Sequence, residues 1–155
     1  FRFSYILPFV IVIGIPWLVL VVDDKIWAVG EFSLIKGLAV CLFFAGLILG
    51  FLSHRSVYKR EQWITQKTPF EEPNKLVIQG LYRYTRNPMM IGLYLMLFSE
   101  ALFFESWTLF YFLVIVVMGS TVIIVFVEEP QLEKKFGDEY RKYKKDIARF
   151  IPKLF

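Results

Sequence analysis

Long apolar runs, broken at a few charged points, organise this chain. Phe3 to Val22 is one such run, closed by Asp23, Asp24 and Lys25. Ser33 to Leu52 is a second, with Lys36 near enough to its end to snorkel. Crossing a bilayer takes about 20 mostly apolar residues, so each run predicts a membrane-spanning helix. A third run is twice as long: between Pro88 and Val127 the only charges are Glu100 and Glu105. Glu105-Ser106 lies near its middle, which predicts a helical hairpin, 88–104 followed by 106–127. The expected fold is an all-α integral membrane protein of about four transmembrane helices. Residues 1–53 would form an N-terminal helix pair, and 54–155 the loop, hairpin and C-terminal helix of a catalytic region.

Beyond the hairpin the period changes. Leu132, Phe136, Tyr140, Tyr143 and Ile147 recur every three or four positions, the mark of one apolar stripe on an amphipathic tail helix. Pro130 suits the first turn of such a helix, where a missing N–H costs nothing. The first apolar run exceeds an ordinary leader's core and lacks a small-residue cleavage site, so it reads as a span.

Charge then orients the spans. The stretch 54–87 carries Arg55, Lys59, Arg60, Lys67, Lys75, Arg83 and Arg86. The tail carries Lys134, Lys135, Arg141, Lys142, Lys144, Lys145, Arg149 and Lys153. The 23–32 loop has only Lys25 and the hairpin tip no base at all, so both termini and the 54–87 loop are expected in the cytoplasm. The net charge of +4 is then a topology signal and an attraction to anionic headgroups rather than a nucleic-acid surface.

Composition narrows the chemistry. Among 155 residues, 57% are hydrophobic, more than one small water-soluble core can hide. A single cysteine and a single histidine exclude a disulfide framework and a Cys- or His-based metal site. The chain has no G-x-G-x-x-G after a strand, no G-x-x-x-x-G-K-[ST], no G-x-S-x-G and no H-E-x-x-H.

Two polar segments remain. One runs from Lys75 through Tyr82, Tyr84, Arg86, Asn87 and Pro88 to Gly92, and the other from Glu128-Glu129 to Tyr143. The hairpin joins them, and its antiparallel ends must lie side by side, which places Arg86 and Asn87 near Glu128 and Glu129. Each residue also has a structural explanation. Asn87-Pro88 makes a helix cap. Arg83 and Arg86 serve as topology charges, Tyr82 and Tyr84 as an interfacial belt, and the glutamates as helix-end partners for the arginines. Two adjacent carboxylates at the hydrocarbon boundary are costly without partners, which favours a role in chemistry for at least one. Glu100, inside a span, is a functional candidate or a structural hydrogen-bonding group. His54 reads as interfacial and Cys41 as a small apolar residue.

The spacing Leu76-Val77, Gly80, Tyr82, Arg86, Pro88, Gly92, then Glu128-Glu129, Leu132, Phe136-Gly137, Tyr140, Tyr143 and Ile151-Pro152 resembles a known family. It is that of the isoprenylcysteine carboxyl methyltransferases and their phospholipid-methyltransferase relatives. The resemblance covers residues 74–152 and implies S-adenosylmethionine as cofactor. It implies cofactor contacts at Asn74, Lys75, Leu76, Val77, Tyr82, Asn87, Pro88, Met89, Met90 and Glu128, and catalytic roles for Arg86, Glu128 and Glu129. Asn87 stands where the family commonly has His and Met90 where it has Tyr. Ile124 stands where the enzymes acting on prenylated proteins carry a substrate arginine.

These readings together describe an S-adenosylmethionine-dependent methyltransferase of lipophilic acceptors, with the carboxylate of a prenylcysteine-like substrate as the first expectation. The acceptor would be a lipophilic small molecule or lipidated substrate that enters from the surrounding membrane lipids. A carboxylate is already ionised at neutral pH and needs no general base. An aminophospholipid nitrogen is the alternative acceptor, with Glu128 or Glu129 as base. An NADPH-dependent reductase of sterol-like lipids and a non-catalytic membrane scaffold are the other candidates. The expected location is a prokaryotic plasma membrane or the endoplasmic reticulum.

Overall fold

The computed structural model of the chain describes residues 10–22, 33–65, 76 and 78–151. All its regular elements among these residues are helical. A π turn, Val10–Gly14, leads into α1, Ile15–Val22. The long α2, Leu34–Thr65, follows. A 3-10 helix, Gly80–Arg83, precedes α3, Pro88–Phe103, and α4, Trp107–Ile123. A second π turn, Ile124–Glu128, carries α4 into α5, Glu129–Phe136, and α6, Asp138–Asp146, closes the series.

Two stretches are long and apolar enough to cross a bilayer: Leu34–Ser56 within α2, and Trp107–Phe136 along α4, the π turn and α5. Their side chains are largely uncovered by the protein itself: Phe51 is 64% exposed, Ile115 67% and Met118 65%. A contiguous apolar surface of this kind is expected where lipid is the solvent. The helices Ile11–Val22 and Pro88–Phe103 are apolar but shorter. The start of the first expected span, the 23–32 loop and most of the 66–77 segment lie outside the described residues.

The chain forms two compact units, one of Phe1–Ile48 with Gly92–Val117, the other of Leu49–Ile91 with Met118–Phe155. The first unit holds the turn between α3 and α4. Leu20, Ala101 and Leu109 are buried together there, with Val19 and Phe104 against them. The turn falls at the expected Glu105-Ser106. Glu105 adopts a left-handed backbone (φ 49°), and Ser106 is buried with its hydroxyl accepting from the Leu109 N–H, an N-cap for α4. Gly46 lets α2 come close to α3: a Cβ there would lie 2.6 Å from the Gly92 carbonyl oxygen and 2.8 Å from Met96 Cγ. Glu100 belongs to this unit, with its Oε2 buried and without a hydrogen-bond partner among the described residues.

The second unit departs from two sequence expectations. The tail is not one helix: Gly137, at φ 56°, ends α5, its N–H closing on the Glu133 carbonyl, and α6 starts at Asp138. The apolar stripe survives the break, because Phe136, Tyr140 and Tyr143 are buried in one cluster flanked by Leu132, Ile147, Leu76 and Ile78. Pro130 stands in the first turn of α5, as expected, but α5 is no fresh start: it runs on from the π turn that ends at Glu128, and in regular α geometry the proline ring would clash with the carbonyl four residues back. The Glu129 N–H reaches back five residues to the Ile124 carbonyl, and this wider turn accommodates the proline.

Candidate active site

The second unit is held together by bonds between residues some sixty positions apart. Its inner strand of contacts is the segment 76–87; its outer one is the tail from Glu129 to Phe150. The Arg86 and Asn87 N–H groups donate to the carbonyls of Ala148 and Arg149 at 3.0 and 3.2 Å. The Thr85 hydroxyl and the Asn87 side-chain amide donate to the same Arg149 carbonyl, at 3.0 and 3.3 Å. The Tyr143 hydroxyl donates to the Tyr82 carbonyl at 2.7 Å, and Glu139 Oε2 accepts from the Leu76 N–H at 2.9 Å. These bonds satisfy the backbone of a segment that is irregular apart from its short 3-10 helix and would otherwise leave buried donors unpaired.

Glu129 is the electrostatic centre. Its side chain is only 3% exposed. Its Oε1 accepts from Arg86 Nη1 and from Arg149 Nε, both at 2.8 Å. Its Oε2 accepts from Arg149 Nη2 at 3.2 Å and faces Lys144 Nζ at 3.2 Å. A buried carboxylate is tolerated when paired and fully hydrogen-bonded, and three cations meet that condition here. The hydrogen bond to Glu129 in turn holds the Arg149 guanidinium above its usual range. Beside them, burial pushes the Tyr140 phenol up, with the Arg86 guanidinium opposing the shift. Tyr140 therefore stays a neutral phenol at physiological pH.

A cavity of about 160 Å³ opens between the two segments. It is comparable with the ~150 Å³ void that accommodates benzene. It can therefore enclose one part of a larger ligand, a ring or a short charged chain. Of the residues singled out in the sequence, Leu76, Tyr82, Arg86, Asn87, Glu128 and Glu129 line it. Pro88, Met89 and Met90 do not: they form the first turn of α3, with Pro88 fully buried and Met89 exposed. Asn74, Lys75 and Val77 lie outside the described residues. Asn87 stands at the N-cap position of α3, its carbonyl accepting from the Ile91 N–H with Pro88 next in the helix, while its side-chain NH2 donates to the Arg149 carbonyl and ties the helix start to the tail.

The two adjacent glutamates have opposite surroundings. Successive helical residues point about 100° apart, so Glu129 turns into the cation cluster while Glu128 turns to the cavity and solvent. Glu128 makes no hydrogen bond or ion pair with any described residue. Arg86 Nε is buried and unpartnered among the described residues, an orphan donor on a residue that lines the cavity. The cavity thus offers one open carboxylate, one unused donor and the tyrosines 82, 140 and 143.

Sequence reasoning did not single out Arg149, Lys144, Thr85 or Ser56 for this site. Arg149 and Lys144 read as two more basic residues in a basic tail. The usable signal was the buried-acid argument itself: a carboxylate next to the hydrocarbon boundary demands several cations, and Arg86 alone is one.

Comparison with protein families matches residues 34–139 to the family described as phospholipid methyltransferase. Neither the curated proteins nor the solved structures offer a match to the chain. The family match takes in both walls of the cavity up to Glu139, including Arg86, Glu128 and Glu129, and covers more than half of the chain.

Proposed function

Because the chain belongs to the phospholipid methyltransferase family, we propose that this membrane methyltransferase uses S-adenosylmethionine and methylates a lipophilic acceptor. The observation that carries the reading is the contrast between Glu129, saturated by Arg86, Lys144 and Arg149, and Glu128, left open on the cavity. A cavity with one uncompensated carboxylate selects a cation. S-Adenosylmethionine bears a sulfonium and an ammonium, and supplies an electrophilic methyl group.

The lining residues suit the charged part of that cofactor, with the remainder extending beyond the cavity. Glu128 would pair with one of its cationic groups, and Arg86 Nε would donate to one of its oxygens. The faces of Tyr82 and Tyr140 suit a sulfonium or a flat base. Leu76 would continue the wall on the segment before the 3-10 helix, and the cofactor contacts proposed at Asn74, Lys75 and Val77 fall outside the described residues. Methyl transfer asks the protein chiefly to hold two reactants in line, which is worth about 7–11 kcal/mol of barrier. Catalytic roles for Arg86 and Glu129 are thus read as orientation, and that of Glu128 as pairing with the cofactor's positive charge.

Two acceptors follow from two observations. With Glu128 engaged by cofactor and Glu129 locked, the cavity lacks an uncommitted base among the described residues, which suits an ionised carboxylate of prenylcysteine type. The family's description favours a phospholipid amine, for which Glu128 would be the base. Entry of the lipid is from the bilayer and of the cofactor from the cytoplasm. Calorimetry of detergent-purified protein with S-adenosylhomocysteine and, separately, NADPH tests the reading. Binding of the first is expected; binding of NADPH alone would overturn it. A labelled-methyl assay with a prenylcysteine analogue and with phosphatidylethanolamine then distinguishes the acceptors.

A further inference from the structure

Next to the cavity lies a second concavity, an open groove where the end of the apolar part of α2 meets the 3-10 helix. Leu52, Arg55 and Ser56 form one side, and Gly80, Arg83 and Tyr84 belong to the other. Ser56 lines both the groove and the cavity, so one side chain separates them. The close approach is built into the backbone. Gly80 sits at φ 57°, and a Cβ there would lie 2.6 Å from Ser56 Oγ, so only glycine lets the turn rest against α2 at this point.

Two features of this groove are unused by the methyl-transfer chemistry. Arg55 and Arg83 are exposed, and neither makes a hydrogen bond or ion pair with a described residue. Two arginines lining one concavity form a site for a phosphodiester, because each guanidinium presents a planar fork of donors matched to its two non-bridging oxygens. The groove also has a defined depth. Phe51 and Leu52 are apolar and exposed on the turn of α2 just before Arg55, and Tyr84 is 51% exposed at its rim. That order, apolar chain, then tyrosine and arginine, is the profile of the hydrocarbon-to-headgroup boundary.

The geometry points to this groove as a binding site for the phosphate of a membrane phospholipid, held by Arg55 and Arg83. Its acyl chains lie against Phe51 and Leu52, and the rest of its headgroup is directed past Ser56 toward the cavity. The orientation toward a reacting centre rests on the methyltransferase reading; the phosphate site itself does not.

The test uses the detergent-purified chain and three probes: dihexanoyl-phosphatidylethanolamine, dihexanoylglycerol, which lacks phosphate, and glycerophosphoethanolamine, which lacks acyl chains. The wild type is expected to bind the phospholipid at least tenfold more tightly than either of the others. R55Q/R83Q should lose that tenfold preference while R55K/R83K regains part of it, and S-adenosylhomocysteine affinity should stay within twofold in both. Equal phospholipid binding by wild type and R55Q/R83Q overturns the site. Glycerophosphoethanolamine binding as tightly as the phospholipid overturns the lipid as its ligand. If R55Q/R83Q fails to fold, the wild-type preference among the three probes and the R55K/R83K variant decide the question. Arginine-dependent phospholipid binding in a protein that does not bind S-adenosylhomocysteine would keep the groove and remove the methyltransferase reading.

Discussion

The Tyr143 hydroxyl lies 2.7 Å from the carbonyl oxygen of Tyr82, sixty-one positions earlier in the chain. The bond ties the buried stripe of α6 to the 3-10 helix, so it fixes a wall of the cavity as well as the tail. Replacing Tyr143 by Phe keeps the ring in its cluster and strands that carbonyl. A loss of about 1 kcal/mol is expected. The midpoint of thermal unfolding in detergent should fall, and S-adenosylhomocysteine affinity with it. An unchanged midpoint would mean that the hydrogen bond adds nothing to tail docking.

Glu129→Gln should be far more damaging. It leaves Arg86 and Arg149 without a countercharge, and Lys144 with only the Glu133 carboxylate at 3.8 Å. Removing one partner of a buried pair costs about 3–5 kcal/mol. The low end applies here, because the Lys144 and Arg149 side chains are 39% and 31% exposed and water compensates them in part. Denaturant unfolding of the variant in detergent should show this loss; stability equal to wild type would contradict the clamp.

Glu128→Gln should behave in the opposite manner. No described residue depends on its carboxylate, so the unfolding free energy should change by less than about 0.5 kcal/mol. Affinity for S-adenosylmethionine, which carries both cationic groups, should fall about tenfold, equivalent to about 1.4 kcal/mol. The pair of variants separates a structural glutamate from a binding one, and similar phenotypes in both would erase the distinction.

Gly80→Ala combines a left-handed backbone with a collision at Ser56 Oγ. The backbone alone costs about 1–2 kcal/mol. Combining it with Ser56→Ala should remove the colliding Oγ and leave the backbone cost, so the double variant should be more stable than Gly80→Ala alone. A double-mutant cycle on thermal stability measures the difference; strict additivity would show that the two residues do not meet.

Much of this arrangement was legible in the residues, for identifiable reasons. An apolar run twice the length of a span, with Glu105-Ser106 at its middle, has few ways to fold, so the hairpin and the meeting of Arg86 with Glu129 followed from length alone. The tail was less legible. A stripe at Leu132, Phe136, Tyr140, Tyr143 and Ile147 has the same spacing on one helix or on two, and only the backbone of Gly137 distinguishes them. The π turn before Pro130 was hidden because proline suits a helix start as well as a widened turn. Arg149 lies past the last helix, where no periodicity constrains its neighbours, and its carbonyl and guanidinium both proved central.

The closures of the cavity described above, from Glu139 to Leu76, Tyr143 to Tyr82, and Ala148 and Arg149 to Arg86 and Asn87, all depend on the last part of the described chain. A chain ending at residue 138 should still insert its apolar helices yet fail to bind S-adenosylhomocysteine. During synthesis, then, the spans enter the lipid first and the site is completed afterwards, when residues 139–150 have emerged and docked. A nascent or truncated chain would be an inserted but inert membrane protein.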